Sequence, residues 1–147
     1  MAGTLVLGFD GSECAGSALE SAIDLARRFG DELVIVFAVE PPVRSVGEEF
    51  REHEKALEEV GRDVAGAALR RAQEAGIEAE MALVPERPAA AILDVARQRD
   101  AHMIVIGTHG ESPLRGAVLG SVPHKLLHLS DRPVLVVPIG AEVRDGG

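Results

Sequence analysis

Apolar residues follow two patterns along this chain: short continuous runs, and longer stretches with one apolar residue every three or four positions. The run at 32–39 is rich in β-branched residues, which is typical of a strand buried on both faces. The stripe from Ala18 to Phe29 predicts an amphipathic helix that Gly30 ends. The alternating segment 77–84 predicts a strand near a sheet edge. The pattern predicts strands at 4–9, 32–39, 77–84, 102–106 and 133–138, and helices at 18–29, 48–75, 88–99 and 121–129.

The helix predicted at 48–75 is the longest and the most highly charged of the set. Two glycines, Gly61 and Gly66, interrupt it, and each costs about 1 kcal/mol relative to alanine. We expect its charged residues to form a solvated face. The predicted buried stripe consists of Leu57, Val60, Val64, Ala68 and Ala72.

Strict alternation of strands and helices predicts the fold class. It implies an α/β protein with a doubly wound, five-stranded parallel sheet and helices on both faces. We expect the strand order 3-2-1-4-5. The 147 residues suit one compact domain, 1–147, with a core at about 4–138.

Ligands of doubly wound sheets bind beyond the carboxyl ends of the strands, where the strand order reverses. Here that place lies between the first and fourth strands, so the loops at 10–13 and 107–121 should meet. Gly107 and Gly110 would let the backbone turn sharply and a ligand approach closely. Gly120 and Ser121 come just before a helix, where exposed N–H groups attract phosphate, and Ser121 is expected to cap that helix.

The composition of the chain argues against some classes of binding partner. The formal net charge of −9 disfavours nucleic-acid binding, and four Phe without Trp or Tyr give few stacking surfaces. No apolar run reaches the roughly 18 residues of a membrane span, and the N-terminus lacks the features of a signal peptide. The only cysteine, Cys14, excludes an internal disulfide. We therefore expect a cytoplasmic protein without nucleic-acid or membrane partners.

The spacing Gly107-x2-Gly110-x9-Gly120-Ser121 resembles the nucleotide-binding pattern of the universal stress protein family. The segments Asp10-Gly11-Ser12 and Val39-Glu40-Pro41 are similar to the ends of that family's first two strands, and 132–138 to its last strand. The resemblance extends from about residue 4 to 138 and favours the ATP-binding branch of the family.

This resemblance implies that ATP, with Mg²⁺, is the cofactor. Asp10 would lie at the ribose, and Ala38 and Ile106 at the adenine. Arg115 could add positive charge near the phosphates, whereas Pro123 removes one backbone donor at the helix start. The implied binding residues are Gly8, Phe9, Asp10, Ala38, Ile106, Gly107, Gly110, Arg115, Gly120, Ser121 and Val122.

The resemblance also implies an ATP-binding regulatory or stress-response protein that signals through a homodimer or a regulatory protein partner. The last strand is apolar and would lie at a sheet edge, which invites pairing with a second copy. The residues expected to pair are Val134, Leu135, Val136 and Val137.

Two alternatives stay open: a slow ATP hydrolase of the same fold, and a member of the family that has lost nucleotide binding and acts only as an interaction module. The loop GxxxxGK[ST] and the His-x-Gly-His pair of related enzymes are absent from the sequence. The acidic and lysine positions of response regulators and the phosphate loop of flavodoxins are also missing. An enzyme is therefore the less favoured interpretation.

The remaining histidine and cysteine side chains that could react or bind a metal are assigned no chemical role. We interpret His109 as a solvent-facing loop residue, and Cys14 as partly exposed near a helix start. His124 and His128 are four residues apart on a helix but have no evident third ligand, so they are assigned to a solvated face. No residue is assigned to catalysis or to a metal.

Overall fold

The computed structural model of the protein describes residues 3–40, 47–110 and 119–140. It contains a five-stranded parallel sheet in the order β3-β2-β1-β4-β5, which confirms the predicted fold class and strand order. The elements are β1 (Thr4–Gly8), α1 (Glu13–Phe29), β2 (Glu32–Ala38), α2 (Glu48–Glu74), β3 (Ala79–Val84), α3 (Pro88–Gln98), β4 (Met103–Gly107), α4 (Ser121–Leu129) and β5 (Val134–Val137).

The central strand β1 is completely buried and divides the core into two layers. Its side chains alternate between the faces, so Leu5 and Leu7 point to one side and Val6 to the other. Leu5 and Leu7 pack with α1 and α2, whereas Val6 packs with α3 and α4. Helices therefore cover both faces, as the alternating sequence pattern predicted.

Helix α1 begins immediately after the loop that leaves β1. The Ser12 hydroxyl accepts a hydrogen bond of 3.2 Å from the Ala15 N–H, which satisfies one of the free donors of the first turn. Gly30 ends the helix in the left-handed conformation with φ of 70°, as predicted. These two caps fix the length of α1 and hold its first turn beside the carboxyl end of β1.

The buried face of α2 differs from the prediction. Val60 is 55% exposed, whereas Ala68 and Ala72 are buried as predicted, together with Gly61, Ala65 and Gly66. A Cβ atom on Gly61 would lie 2.9 Å from Cδ1 of Phe37 and 3.0 Å from Cδ2 of Leu83. Helix α2 therefore approaches the sheet closely at Gly61 and Ala65, and Val60 lies on the solvent-exposed side of the helix.

Strand β3 begins two residues later than predicted, at Ala79. Ile77 is buried, but its N–H donates to the Ala72 carbonyl at 3.0 Å, so it closes the end of α2. Met81 of this strand is 37% exposed. The predicted edge position of β3 is confirmed by the strand order.

At the other edge, Arg132 fixes the start of β5. Its Nη1 atom donates to the carbonyl oxygens of Ala96 and Ala101 at 2.7 and 2.9 Å. These bonds tie the chain before β5 to the end of α3. Among the described segments, none of the helices is both long and apolar enough to cross a bilayer.

The two glycines of α2 allow a matched test of the close contact with the sheet. Gly66→Ala should raise the free energy of unfolding by about 0.5–1 kcal/mol, because its Cβ meets only the Arg70 guanidinium at 3.6 Å. Gly61→Ala should instead lower it by about 1 kcal/mol, because strain against Phe37 outweighs the gain in helix propensity. Urea unfolding followed by circular dichroism measures both. Equal stabilisation by the two changes would contradict the close contact.

Candidate functional site

A cavity of about 320 Å³ lies at the carboxyl ends of β1, β2 and β4, where the strand order reverses. This is where doubly wound sheets bind ligands, and its volume lies at the lower end of the range of small-molecule sites. Residues from both loops that the sequence indicated, 10–13 and 107–121, line this cavity. The lining residues are Gly8, Phe9, Asp10, Ala15, Val36, Phe37, Ala38, Pro88, Ile92, Ile106, Gly107, His109, Gly110, Gly120, Ser121, Val122 and Pro123.

The sequence prediction agrees closely with this lining. Ten of the eleven residues proposed for binding line the cavity, and the eleventh, Arg115, lies outside the described residues. The ten are Gly8, Phe9, Asp10, Ala38, Ile106, Gly107, Gly110, Gly120, Ser121 and Val122. That they contact a nucleotide stays a prediction.

The prediction missed the wall that α3 supplies. Pro88 and Ile92 line the cavity because α3 starts at the carboxyl edge of the sheet, beside the end of β2. Ile92 also belongs to the buried cluster on that face. The sequence signal was present, since Ile92 is on the apolar stripe of a predicted helix, but a stripe does not show which end of it borders a cavity.

Asp10 shapes the loop between β1 and α1. Its Oδ1 atom accepts a hydrogen bond of 2.9 Å from the Ser12 N–H, and Gly11 has a φ of 84°. The positive φ suits glycine, and the bond closes a tight Asx turn. The other carboxylate oxygen faces the second loop: a Cβ on Gly110 would lie 2.9 Å from Asp10 Oδ2.

Gly107 does not turn the chain sharply, which corrects the sequence interpretation. It ends β4 without a positive φ, but a Cβ there would lie 2.8 Å from Cys14 Cβ and 2.9 Å from the Cys14 carbonyl carbon and oxygen. The glycine therefore allows the first turn of α1 to pack directly against β4. That contact closes one side of the cavity.

Ser121 does not cap α4, contrary to the prediction. Gly120 is the capping residue, without a side-chain hydrogen bond, and Ser121 is the first helical residue. The Gly120 N–H donates to the Thr108 carbonyl at 2.7 Å, so it is not available to a ligand. The N–H groups of Ser121 and Val122 belong to the first turn, which has no intrahelical acceptors, and Pro123 has no N–H.

Cys14 and His109 are in different surroundings from those predicted. Cys14 is only 3% exposed, and its Sγ lies 3.6 Å from the Thr108 hydroxyl oxygen. His109 is half-buried and lines the cavity, with its Nδ1 3.1 Å from the same hydroxyl. The Thr108 hydroxyl therefore connects a buried thiol to an imidazole at the cavity wall.

The end of β2 presents backbone groups to the cavity. The last bond between β1 and β2 runs from the Phe9 N–H to the Val36 carbonyl at 2.9 Å, and the Val39 N–H donates to Val84 of β3 at 2.8 Å. In a parallel ladder successive residues bond to opposite neighbours. The N–H and C=O of Ala38 therefore point to the β1 side, beyond the last bond of β1, where the cavity begins.

One carboxyl group near the rim has a raised pKa. Hydrogen bonding with Asp94, desolvation and the repulsion of the Asp94 charge hold the pKa of Glu86, two residues before Pro88, above its ordinary 4.5.

Comparison with known proteins identifies the family. A sequence model of the universal stress protein family matches residues 1–138, so the chain belongs to that family. Universal stress protein YxiE of Bacillus subtilis is 32% identical over 143 residues, covering 90% of this chain and 97% of that protein.

Solved structures of the family share the fold. A member from Burkholderia pseudomallei superposes with a TM-score of 0.76 at 31% identity, covering 92% of this chain and 95% of the other. A universal stress protein in complex with cAMP gives a TM-score of 0.68 at 30% identity, covering 93% and 97% of the two chains.

The packing role of Gly107 is tested by adding a single methyl group. Gly107→Ala should lower the free energy of unfolding by about 1–3 kcal/mol, because the Cβ meets backbone atoms of Cys14 that cannot turn away. Gly16→Ala is the matched control in α1, where nothing lies within 4 Å of the added Cβ, and it should stabilise by about 0.5–1 kcal/mol. Chemical unfolding curves that place both variants on the same side of wild type would refute this role.

Proposed function

We propose that this chain acts as a single nucleotide-binding domain that holds ATP, with Mg²⁺, in the cavity between β1 and β4. In this role it is a regulatory protein of stress responses. The observation that carries the proposal is an apolar cavity at the reversal of strand order, bordered by the first turn of a helix. The cAMP complex of a 30% identical protein supports an adenine nucleotide as the ligand.

The adenine ring suits the inner part of the cavity. Ile92 and Ile106 offer apolar surfaces for the two faces of a flat ring. The backbone at Ala38 offers one donor and one acceptor side by side. Adenine carries a matching acceptor and amino donor on one edge, whereas guanine carries the reverse pair, so the wrong base would leave the backbone groups unpaired.

The phosphates suit the start of α4. Two backbone N–H groups, of Ser121 and Val122, and the Ser121 hydroxyl lie at the positive end of the helix dipole. Pro123 is buried as the third helical residue, so it keeps the helix intact and removes only one donor. Mg²⁺ would travel with the triphosphate and reduce its repulsion from an acidic protein.

In this arrangement the ribose lies between the adenine, at Ile92 and Ile106, and the phosphates, at the start of α4. The Asp10 carboxylate at the cavity wall can accept hydrogen bonds from ribose hydroxyls, while its Oδ1 keeps the turn closed through Ser12. The described walls consist mainly of apolar side chains and backbone, with Asp10, His109 and Ser121 as the polar side chains. We propose that the bound nucleotide serves as a signal and not as a substrate that is turned over.

We further propose that the signal passes through a homodimer, or through a regulatory protein partner. β5 is the edge strand, so one side of its backbone has no neighbouring strand in the sheet. Leu135 is 37% exposed on this edge, between the less exposed Val134 and Val136. A second copy that pairs through Val134, Leu135, Val136 and Val137 would cover this surface.

The phosphate contact is tested by placing a negative charge at the start of α4. Ser121→Glu should weaken Mg-ATP binding at least tenfold, because its carboxylate repels phosphate. The same change should leave the fold intact, since Ser121 is exposed and an acidic residue in a first helical turn is favourable. Equilibrium dialysis gives the affinity, and thermal unfolding gives the stability.

Ser121→Gln is the control, because it has the size of glutamate without its charge. We expect its affinity to lie much nearer to wild type than that of Ser121→Glu. If both variants bind Mg-ATP as tightly as wild type, the phosphates do not lie at the start of α4.

The homodimer is tested by sedimentation equilibrium at tens of micromolar. Wild type should sediment as a dimer, and Leu135→Glu as a monomer, because a carboxylate at the centre of the paired edge would lose its hydration. Val60→Glu adds the same charge at an exposed apolar residue of α2 and should stay dimeric. A monomeric wild type would contradict the proposal.

A further inference from the structure

Two histidines on α4 lie outside the cavity and have no part in the nucleotide proposal. His124 and His128 are one helical turn apart and are both exposed. Their rings are in contact: the centroids are 4.6 Å apart, and the ring planes meet at 69°. The sequence alone assigned them to a solvated face, and their exposure agrees, but the close approach of the rings adds a chemical possibility.

The spacing of the rings fits a shared metal ion. Metal–nitrogen bonds to histidine are about 2.0–2.1 Å long, so two rings on one ion have centroids about 4.5 Å apart at a right-angle coordination and about 5.2 Å apart at a tetrahedral one. The observed 4.6 Å places both rings within reach of one ion. Histidines four apart on a helix are also the arrangement by which zinc proteases bind their metal.

The kind of ion follows from the ligands. Neutral imidazole favours copper, nickel and zinc, whereas magnesium and calcium require oxygen ligands. Among the described residues, no group of three or more His, Cys, Asp or Glu side chains could hold a metal ion, so water would complete the coordination here. For a given set of nitrogen ligands, Cu²⁺ binds more tightly than either Ni²⁺ or Zn²⁺.

We propose that His124 and His128 form a surface site for one divalent transition-metal ion, with Cu²⁺ bound more tightly than Ni²⁺ or Zn²⁺. A bound ion would join the first and last turns of α4, which has only nine residues. Because a ligand that binds only the folded state stabilises it, the ion would oppose unfolding of this helix. The site does not depend on nucleotide binding.

The test is calorimetric titration of the nucleotide-free, untagged protein with Ni²⁺. Wild type should bind one ion at this site, and His124→Ala and His128→Ala should each weaken binding at least tenfold. His53→Ala, at an exposed histidine of α2, is the control and should bind as wild type does. Undiminished Ni²⁺ affinity in both α4 variants, or no binding by wild type, would overturn the proposal.

Electron paramagnetic resonance of the Cu²⁺-loaded wild type provides a second test that needs no variant. Two nitrogen couplings from imidazole are expected for the shared site. A single coupling would mean that one histidine binds alone, and would also overturn the proposal. Because no nucleotide is present in either experiment, their failure would leave the ATP proposal unaffected.

Discussion

The pairing of β1 with β2 on one side and β4 on the other is the constraint on which the rest of the structure depends. The chain continues from β1 across one half of the sheet and later returns to place β4 on the other half. The loops that leave β1 and β4 therefore diverge onto opposite faces, and the crevice between them cannot be filled by a crossover. Because β1 is fully buried, its pairing with β2 and β4 cannot be lost without exposing the core to water.

The glycines of the second loop satisfy two separate physical demands. Gly107 allows α1 to lie against β4, and Gly110 leaves room for the Asp10 carboxylate. Gly120 instead caps the start of α4, and its N–H donates to the Thr108 carbonyl. A spacing that resembles a ligand-binding motif is therefore also a packing motif, because the closely packed backbone forms the cavity wall.

The alternation of strands and helices predicted the parallel sheet and the two loops that border the cavity. Much of the lining, including Ala38, Ile106 and Val122, was predicted only through the resemblance to the universal stress protein family. Continuous apolar runs fix a parallel sheet, and its carboxyl edge fixes which loops meet. The errors concern distances between elements. The exposure of Val60 depends on how closely α2 approaches the sheet at Gly61, and the burial of Cys14 depends on the contact at Gly107. The cap of α4 was misassigned because the sequence does not show that Thr108 orients Gly120.

Whether the cavity holds ATP is decided by identifying the nucleotide that the purified protein carries. The chain has no Trp or Tyr, so it absorbs little at 280 nm, and a bound adenine would dominate its ultraviolet spectrum. The protein would be freed of unbound nucleotide, denatured and chromatographed against ATP, ADP and AMP. We expect ATP to be released. A protein that releases no nucleotide, even after incubation with Mg-ATP, would contradict it.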